Sequence, residues 1–140
     1  MSIQQGLTTS FRQGMLEGQQ NLTTDVLKIA LYTGMATIGL STTEYTLANE
    51  VVGTGYTAGG NVVTNLTVSA ATNGVLYVSF DNPEWLAATF TTRGALIYNT
   101  TQANASIAVI DFGADKTCAN QTFTITLPAN TATNALLRFI

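Results

Sequence analysis

The sequence predicts an all-β protein: an antiparallel jelly-roll β-sandwich of about eight strands, with a short N-terminal arm or helix. Three observations carry that prediction. Apolar and polar residues alternate with a period of two over most of the chain. The alternating runs are separated by clusters of Asn, Gly, Pro and Asp, the residues that turns require. No helical stretch lies between the runs to serve as a crossover, so neighbouring strands pair antiparallel. The pattern argues for an antiparallel sandwich or barrel, of which the eight-strand jelly roll is one solution. At 140 residues without a composition break, the chain is read as an arm over residues 1–20 and one domain over 21–140. A chain of this length buries about 68–70% of its unfolded surface and needs no staple.

The elements follow in order. Phe11, Met15 and Leu16 fall at i, i+4 and i+5, with Ser10 as the N-cap of a short helix that Gly14 and Gly18 weaken. "VLKIALYT" (Val26–Thr33) puts Leu27, Ile29 and Leu31 on one face and Lys28 on the other. "VVTNLTVSA" aligns Val62, Leu66 and Val68, and "GVLYVSFD" aligns Leu76, Val78 and Phe80. "GALIYN" (Gly94–Asn99) and "IAVIDF" (Ile107–Phe112) are apolar on both faces and read as central strands. "QTFTITL" turns Phe123, Ile125 and Leu127 inward and Thr122, Thr124 and Thr126 outward. "ALLRFI" supplies a last strand. The connections are "TNG", "DNP", "NTTQANA" and "PANTATN".

The stretch "GTGYTAGG" (Gly53–Gly60) raises the question of a phosphate loop. A dinucleotide fingerprint needs its glycines to open a helix, and a Walker loop needs Lys and Ser/Thr after the last glycine. Here "NVVTNLTV", a strand, follows. The glycines are read instead as positive-φ positions in a long connection that Tyr56 pins to the sheet.

Chemistry is thinly supplied. The chain has no histidine, the commonest general base and metal ligand. Cys118 lacks an imidazole partner and reads as a small, half-buried residue at a strand start. Asp81 with Glu84, or Asp111 with Asp115, is a thinkable carboxylate pair; both read better as turn residues, with Asp111 ending a strand. Nothing implies a cofactor, a metal or a small-molecule substrate. Five Asn-x-Ser/Thr triplets, from Asn21, Asn65, Asn99, Asn104 and Asn120, reflect an Asn- and Thr-rich composition.

Only 9% of residues are charged, against about 25% in an ordinary soluble domain. The solvent face is therefore mostly hydroxyl and amide, which suits a subunit that lives packed against others. The net charge of −3, with five Lys and Arg scattered along the chain, provides no basic stripe for nucleic acid or an anionic membrane. The N-terminal stretch lacks an apolar signal core, so synthesis in the cytoplasm is the expectation. "DNPEWLAATFTTRGALIYN" offers Trp85, Phe90 and Arg93 as a contact patch, since aromatics and Arg are enriched at interface hot spots. The bland reading is a loop whose aromatics plug one end of the sandwich.

The order "LKIALYT", "NEVVGTGYTAGG", "WLAATFTTRGALIYN", "AVIDFGADK" and "FTITLPANTATNALLRFI" resembles a family of small structural proteins of tailed bacteriophages. Its members include head decoration, or cement, proteins. The resemblance runs from about Ser10 to the C-terminus. It implies a jelly-roll subunit that dimerises on the outer surface of a phage head and clamps adjacent major capsid proteins, without enzyme activity. Such a subunit is made in the host cytoplasm and resides in the virion. The expected partners are the major capsid protein and a second copy, with no nucleic acid, membrane or small molecule. The expected contact residues are Phe11, Met15 and Leu16 on the arm, and Trp85, Phe90 and Arg93. The alternative is a tail or fibre module binding host-surface glycans in a groove lined by Tyr45, Tyr56 and Trp85.

Overall fold

A computed structural model of the chain describes residues 3–71, 74–128 and 137–139. The described elements are β1 (Gly6–Leu7), α1 (Thr9–Leu16), β2 (Leu27–Tyr32), β3 (Asn61–Val62), β4 (Thr67–Ala70), β5 (Leu76–Ser79), β6 (Glu84–Asn99), β7 (Ala105–Thr124) and β8 (Leu137–Phe139). They form one sheet in the order β1-β7-β6-β2-β3 and a second in the order β4-β5-β8. Every pairing is antiparallel. The protein is thus all-β with one short helix, as its periodicity predicts. The turns predicted over Thr72–Asn73 and Ala129–Asn134 lie outside the described residues, as does the start of the last predicted strand.

β2, β6 and β7 are central because both of their faces are apolar. Leu27, Ile29 and Leu31 enter the main core with Phe11, Trp85, Phe90, Ile97 and Ile107. The alternate residues Ala30 and Tyr32 enter a second cluster with Ile3, Ile38, Leu96, Tyr98 and Val109. The connection from Thr33 to Gly60 covers that second face, so a sheet that would otherwise meet water is buried on both sides.

Two of the strands are far longer than the sequence suggests. The segment read as a loop before Gly94 is strand from Glu84 onward. "IAVIDF" and "QTFTITL" are two ends of one bent strand. Bulges allow both. The β6–β7 register shifts between Trp85 and Ala88, between Ala88 and Phe90 and between Thr92 and Gly94. Ala87, Gly113 and Asn120 take positive φ of 48°, 81° and 49°. A bulge sharpens local twist, which lets one long hairpin wrap the core rather than lie flat. The predicted strand over Val62–Ala70 instead splits between the two sheets, because Asn65 turns the chain with φ 54°. Val62, Val68 and Leu76 consequently stay exposed.

The N-terminal segment is a core element rather than an arm. Thr8, not Ser10, caps α1, its hydroxyl accepting from the Phe11 N–H at 3.2 Å. Thr8 is held there because its own N–H donates to the Ile107 carbonyl at 2.9 Å, while Ser10 is already bonded to Ser106. Gly18, with φ 74°, ends the helix. Among the described residues, no helix is long and apolar enough to cross a membrane.

Candidate functional site

The densest polar arrangement surrounds Glu50, a buried carboxylate at the end of a turn over Leu47–Glu50. A buried charge is costly unless its lone pairs are satisfied. Here they are. Tyr45 donates its hydroxyl at 2.6 Å, Tyr56 donates through a short bond, and the Gly59 N–H donates at 2.8 Å. The Tyr56 oxygen in turn accepts from the Leu31 N–H of β2 at 2.9 Å. Tyr98 of β6 donates to the Gly59 carbonyl at 2.6 Å, and its ring stacks on Tyr45 with centroids 4.7 Å apart. Tyr32 of β2 donates to the Thr46 carbonyl at 2.6 Å.

The question raised by "GTGYTAGG" is answered by these bonds. The Gly59 N–H of the loop is taken by the protein's own carboxylate and its Gly60 N–H by the Thr57 carbonyl, and Tyr56 ties it to β2 as the sequence predicts. Gly55, Gly59 and Gly60 take φ of 84°, 98° and 79°. Four tyrosines and one glutamate form a clasp that binds the 44–60 excursion to the central strands.

Burial raises the phenol pKa of all four residues. For Tyr45 and Tyr56 the hydrogen bond to Glu50 adds to burial, and for Tyr32 and Tyr98 the Glu50 charge does so. Tyr98 is pushed up to about 12. The sign of the linkage follows: the folded chain holds these protons more tightly than the unfolded chain, whose tyrosines titrate near 10. The stability they contribute is complete below about pH 10 and lost as pH rises through the folded values. We expect tyrosinate absorbance from these residues to appear together with loss of the far-ultraviolet β signal. A separate tyrosinate step completed while the fold persists would contradict the clasp.

The other candidates are structural in this geometry. Asp81 accepts from Thr64 and Asn65, and Asp115 pairs with Arg93 at 3.4 Å across exposed surface. Asp111 lies inside β7 rather than at its end, and accepts from the Gly113 N–H at the bulge. Cys118 is fully buried in the middle of β7, not half-buried at a strand start. The Asn99 side chain is bonded at both ends, to Asp25 and to the Thr101 N–H, and has no exposed surface to carry a glycan. The Asn99 bond is the largest influence lowering the Asp25 pKa. Among the described residues, no three His, Cys, Asp or Glu gather as metal ligands.

The predicted contact residues divide sharply. Phe11, Trp85 and Phe90 are buried in the main core and offer no surface to a partner. The reason is the period-two geometry of β6, which turns Trp85, Ala88 and Phe90 inward across its bulges onto Tyr56 and Phe123. Of the three residues of the alternative glycan groove, Trp85 is buried for the same reason, while Tyr45 and Tyr56 are half-buried with their hydroxyls taken by Glu50. Arg93 is partly exposed, with its guanidinium donating to Asp115 and the Gly113 carbonyl. Leu16 is 90% exposed, and Met15 lines an apolar groove of about 320 Å³ with Leu22, Val68, Leu76 and Val78. Sequence reasoning missed Val68 and Leu76 because an ideal strand pattern turns them to the core, whereas here both stay exposed; Leu22 lies in a turn outside any strand pattern, and Val78 is buried as its alternation predicts. No family model, curated protein or solved structure matches the chain.

Proposed function

We propose that this protein is a non-enzymatic structural subunit: a decoration protein that pairs on the outer surface of a phage head and clamps adjacent major capsid proteins. The jelly-roll form of the sandwich belongs to this reading. The observation that carries it is the character of the surface. Only 9% of residues are charged, and large apolar side chains such as Leu16, Val52 and Leu86 project into solvent at 90%, 94% and 68% exposure. Contacts made by such a surface strand few charges, which are costly to bury unpaired. The sequence resemblance to phage head proteins supplies the partner.

The mechanism is mass action. A twofold dimer presents two identical docking faces. Once one face is bound, the other sees its target at an effective concentration of about millimolar, so modest contacts make a firm bridge. A protein that binds only the assembled shell stabilises it by about 2.7 kcal/mol per site at 100 times its Kd.

The test is to mix the purified protein with cognate heads that lack it, following co-sedimentation and the temperature of DNA release. Binding at a fixed stoichiometry with a raised release temperature is expected. Heads that sediment without the protein, or release DNA at an unchanged temperature, would remove the proposal.

A further inference from the structure

We infer that a hydroxyl- and amide-lined pocket between α1 and the β6–β7 turn binds a neutral sugar, one hexopyranose ring. The inference goes beyond the structural role proposed above and does not depend on it.

The pocket's volume, about 520 Å³, lies within the range of small-molecule sites. Helix α1 and the turn after it contribute Ser10, Gly14 and Gln20, the β6–β7 turn contributes Thr101 and Gln102, and Thr43 comes from the excursion after β2. These side chains are held in place. Gln20 donates to the Ser106 carbonyl at 3.4 Å and accepts from Asn99 at 3.1 Å. Gln102 donates to Asp25 at 3.4 Å, and its amide oxygen has no partner among the described residues. Thr101 accepts from the Val26 N–H at 2.9 Å and keeps its own proton to donate. The Thr43 hydroxyl is unpaired among the described residues.

Two local choices work against folding, and both line this pocket. Gly14 lies in the last turn of α1, outside the left-handed region, where alanine would favour the helix. A Cβ there would meet nothing closer than Gln20 Cγ at 3.5 Å, so packing does not exclude one. Gly14 and Gln20 both face the pocket, so the missing methyl is pocket volume. On the opposite wall Ala103 and Asn104 hold φ of 54° and 60°, in a turn closed by the Ala105 N–H on the Gln102 carbonyl at 3.0 Å. The left-handed cost falls on an alanine where glycine would avoid it. Departures from local preference gather at functional sites.

The ligand class follows from the wall. It carries no charged side chain, so an ion finds no counter-charge there. An apolar molecule would cover the amides and hydroxyls without pairing them. No aromatic ring stands in the wall, so a planar base has no face to stack on. A sugar ring suits both parts of the surface. Its hydroxyls donate and accept, as the Gln and Thr side chains do, and its C–H faces rest on Ala103 and Ala105. The site shares no wall residue with the Tyr45, Tyr56 and Trp85 groove expected from the sequence.

The experiment is an amide-resolved NMR titration of the full chain with glucose, galactose and N-acetylglucosamine. Inorganic phosphate, cyclohexanol and acetyl-alanine methylamide serve as the charged, apolar and peptide-like alternatives. Expected is a saturable response to at least one sugar, with a Kd of about 1–10 mM and shifts confined to residues 10–20, 43 and 101–105. Gly14→Ala should melt at a higher temperature than the wild type and yet bind about tenfold more weakly, because its methyl fills the site. Thr43→Val, which removes one hydroxyl at nearly constant shape, should weaken binding about fivefold with the melting temperature unchanged. No saturable shift with any of the three sugars would overturn the inference. So would wild-type affinity in both variants, shifts centred elsewhere such as Leu76, or a stronger response to phosphate, cyclohexanol or the peptide analogue. Each of these results would leave the head-binding proposal standing, since co-sedimentation with heads tests it separately.

Discussion

Gly60→Ala should remove most or all of the folding stability, a loss beyond about 4 kcal/mol, in the range that marks exceptional substitutions. An added Cβ would land on the Ile29 carbonyl oxygen, with the Ile29 carbonyl carbon 2.6 Å and the Ala30 Cα 2.8 Å away. These are backbone atoms of β2, which is paired on its other side with Ile97 and Leu96 and cannot retreat. The φ of 79° adds the ordinary left-handed cost of about 1–2 kcal/mol. Gly18→Ala isolates the contact from the dihedral. Gly18 has φ 74° but nothing within 4 Å of its added Cβ, so only the left-handed cost of about 1–2 kcal/mol is expected. Urea unfolding of both variants makes the comparison. Equal losses would mean that the loop does not press on β2.

Phe11→Ala should cost about 3–5 kcal/mol, the price of emptying a large buried site that cannot collapse. Phe11 has no exposed surface and sits with Leu27, Ile29, Ile107 and the β6 aromatics in one cluster. Leu16→Ala, on the same helix but 90% exposed, should change stability by less than about 0.5 kcal/mol. If Leu16 serves a partner, its loss will appear in binding and not in unfolding. Thermal or urea unfolding of the two variants tests the pair. A Phe11→Ala protein as stable as the wild type would restore the view of this segment as a detachable arm.

The contrast between Phe11 and Leu16 marks the limit of what periodicity can say. The i, i+4, i+5 spacing identifies a helix with an apolar stripe, and α1 is where that spacing puts it. Spacing cannot say what the stripe packs on. That depended on Thr8 reaching Ile107, a contact across 99 positions. The central strands were legible because "GALIYN" and "IAVIDF" are apolar on both faces, a pattern that only a doubly covered strand tolerates. Their extension to 16 and 20 residues was not legible. Ala87, Asn120 and Gly113 absorb the bends without any Pro or Asp-Gly signal that would announce a turn.

The clasp was half legible. Tyr56 as the anchor of the glycine loop could be read from its place among positive-φ residues. Glu50 could not, because a lone glutamate in "LANEVVG" looks like any solvated charge until Tyr45 and Tyr56 are found around it. The Trp85 segment misled for a related reason. Aromatics beside an arginine are as common on an inward-facing bulged strand as on an interface, and only the register of β6 against β7 decides which.

The pairing of Gly6 and Leu7 with Val109 and Ala108 also fixes a schedule. A chain emerging from the ribosome exposes Phe11 long before the β6 aromatics and Ile107 of its cluster exist. At about 5–20 residues per second, synthesis of the next hundred positions takes on the order of 5–20 s. Throughout that interval the first helix lacks β6 and β7, and a fold dominated by such distant pairings closes slowly once it can. The nascent N-terminal segment is therefore a natural target for a holding chaperone, and slowing translation lengthens its vulnerability in direct proportion.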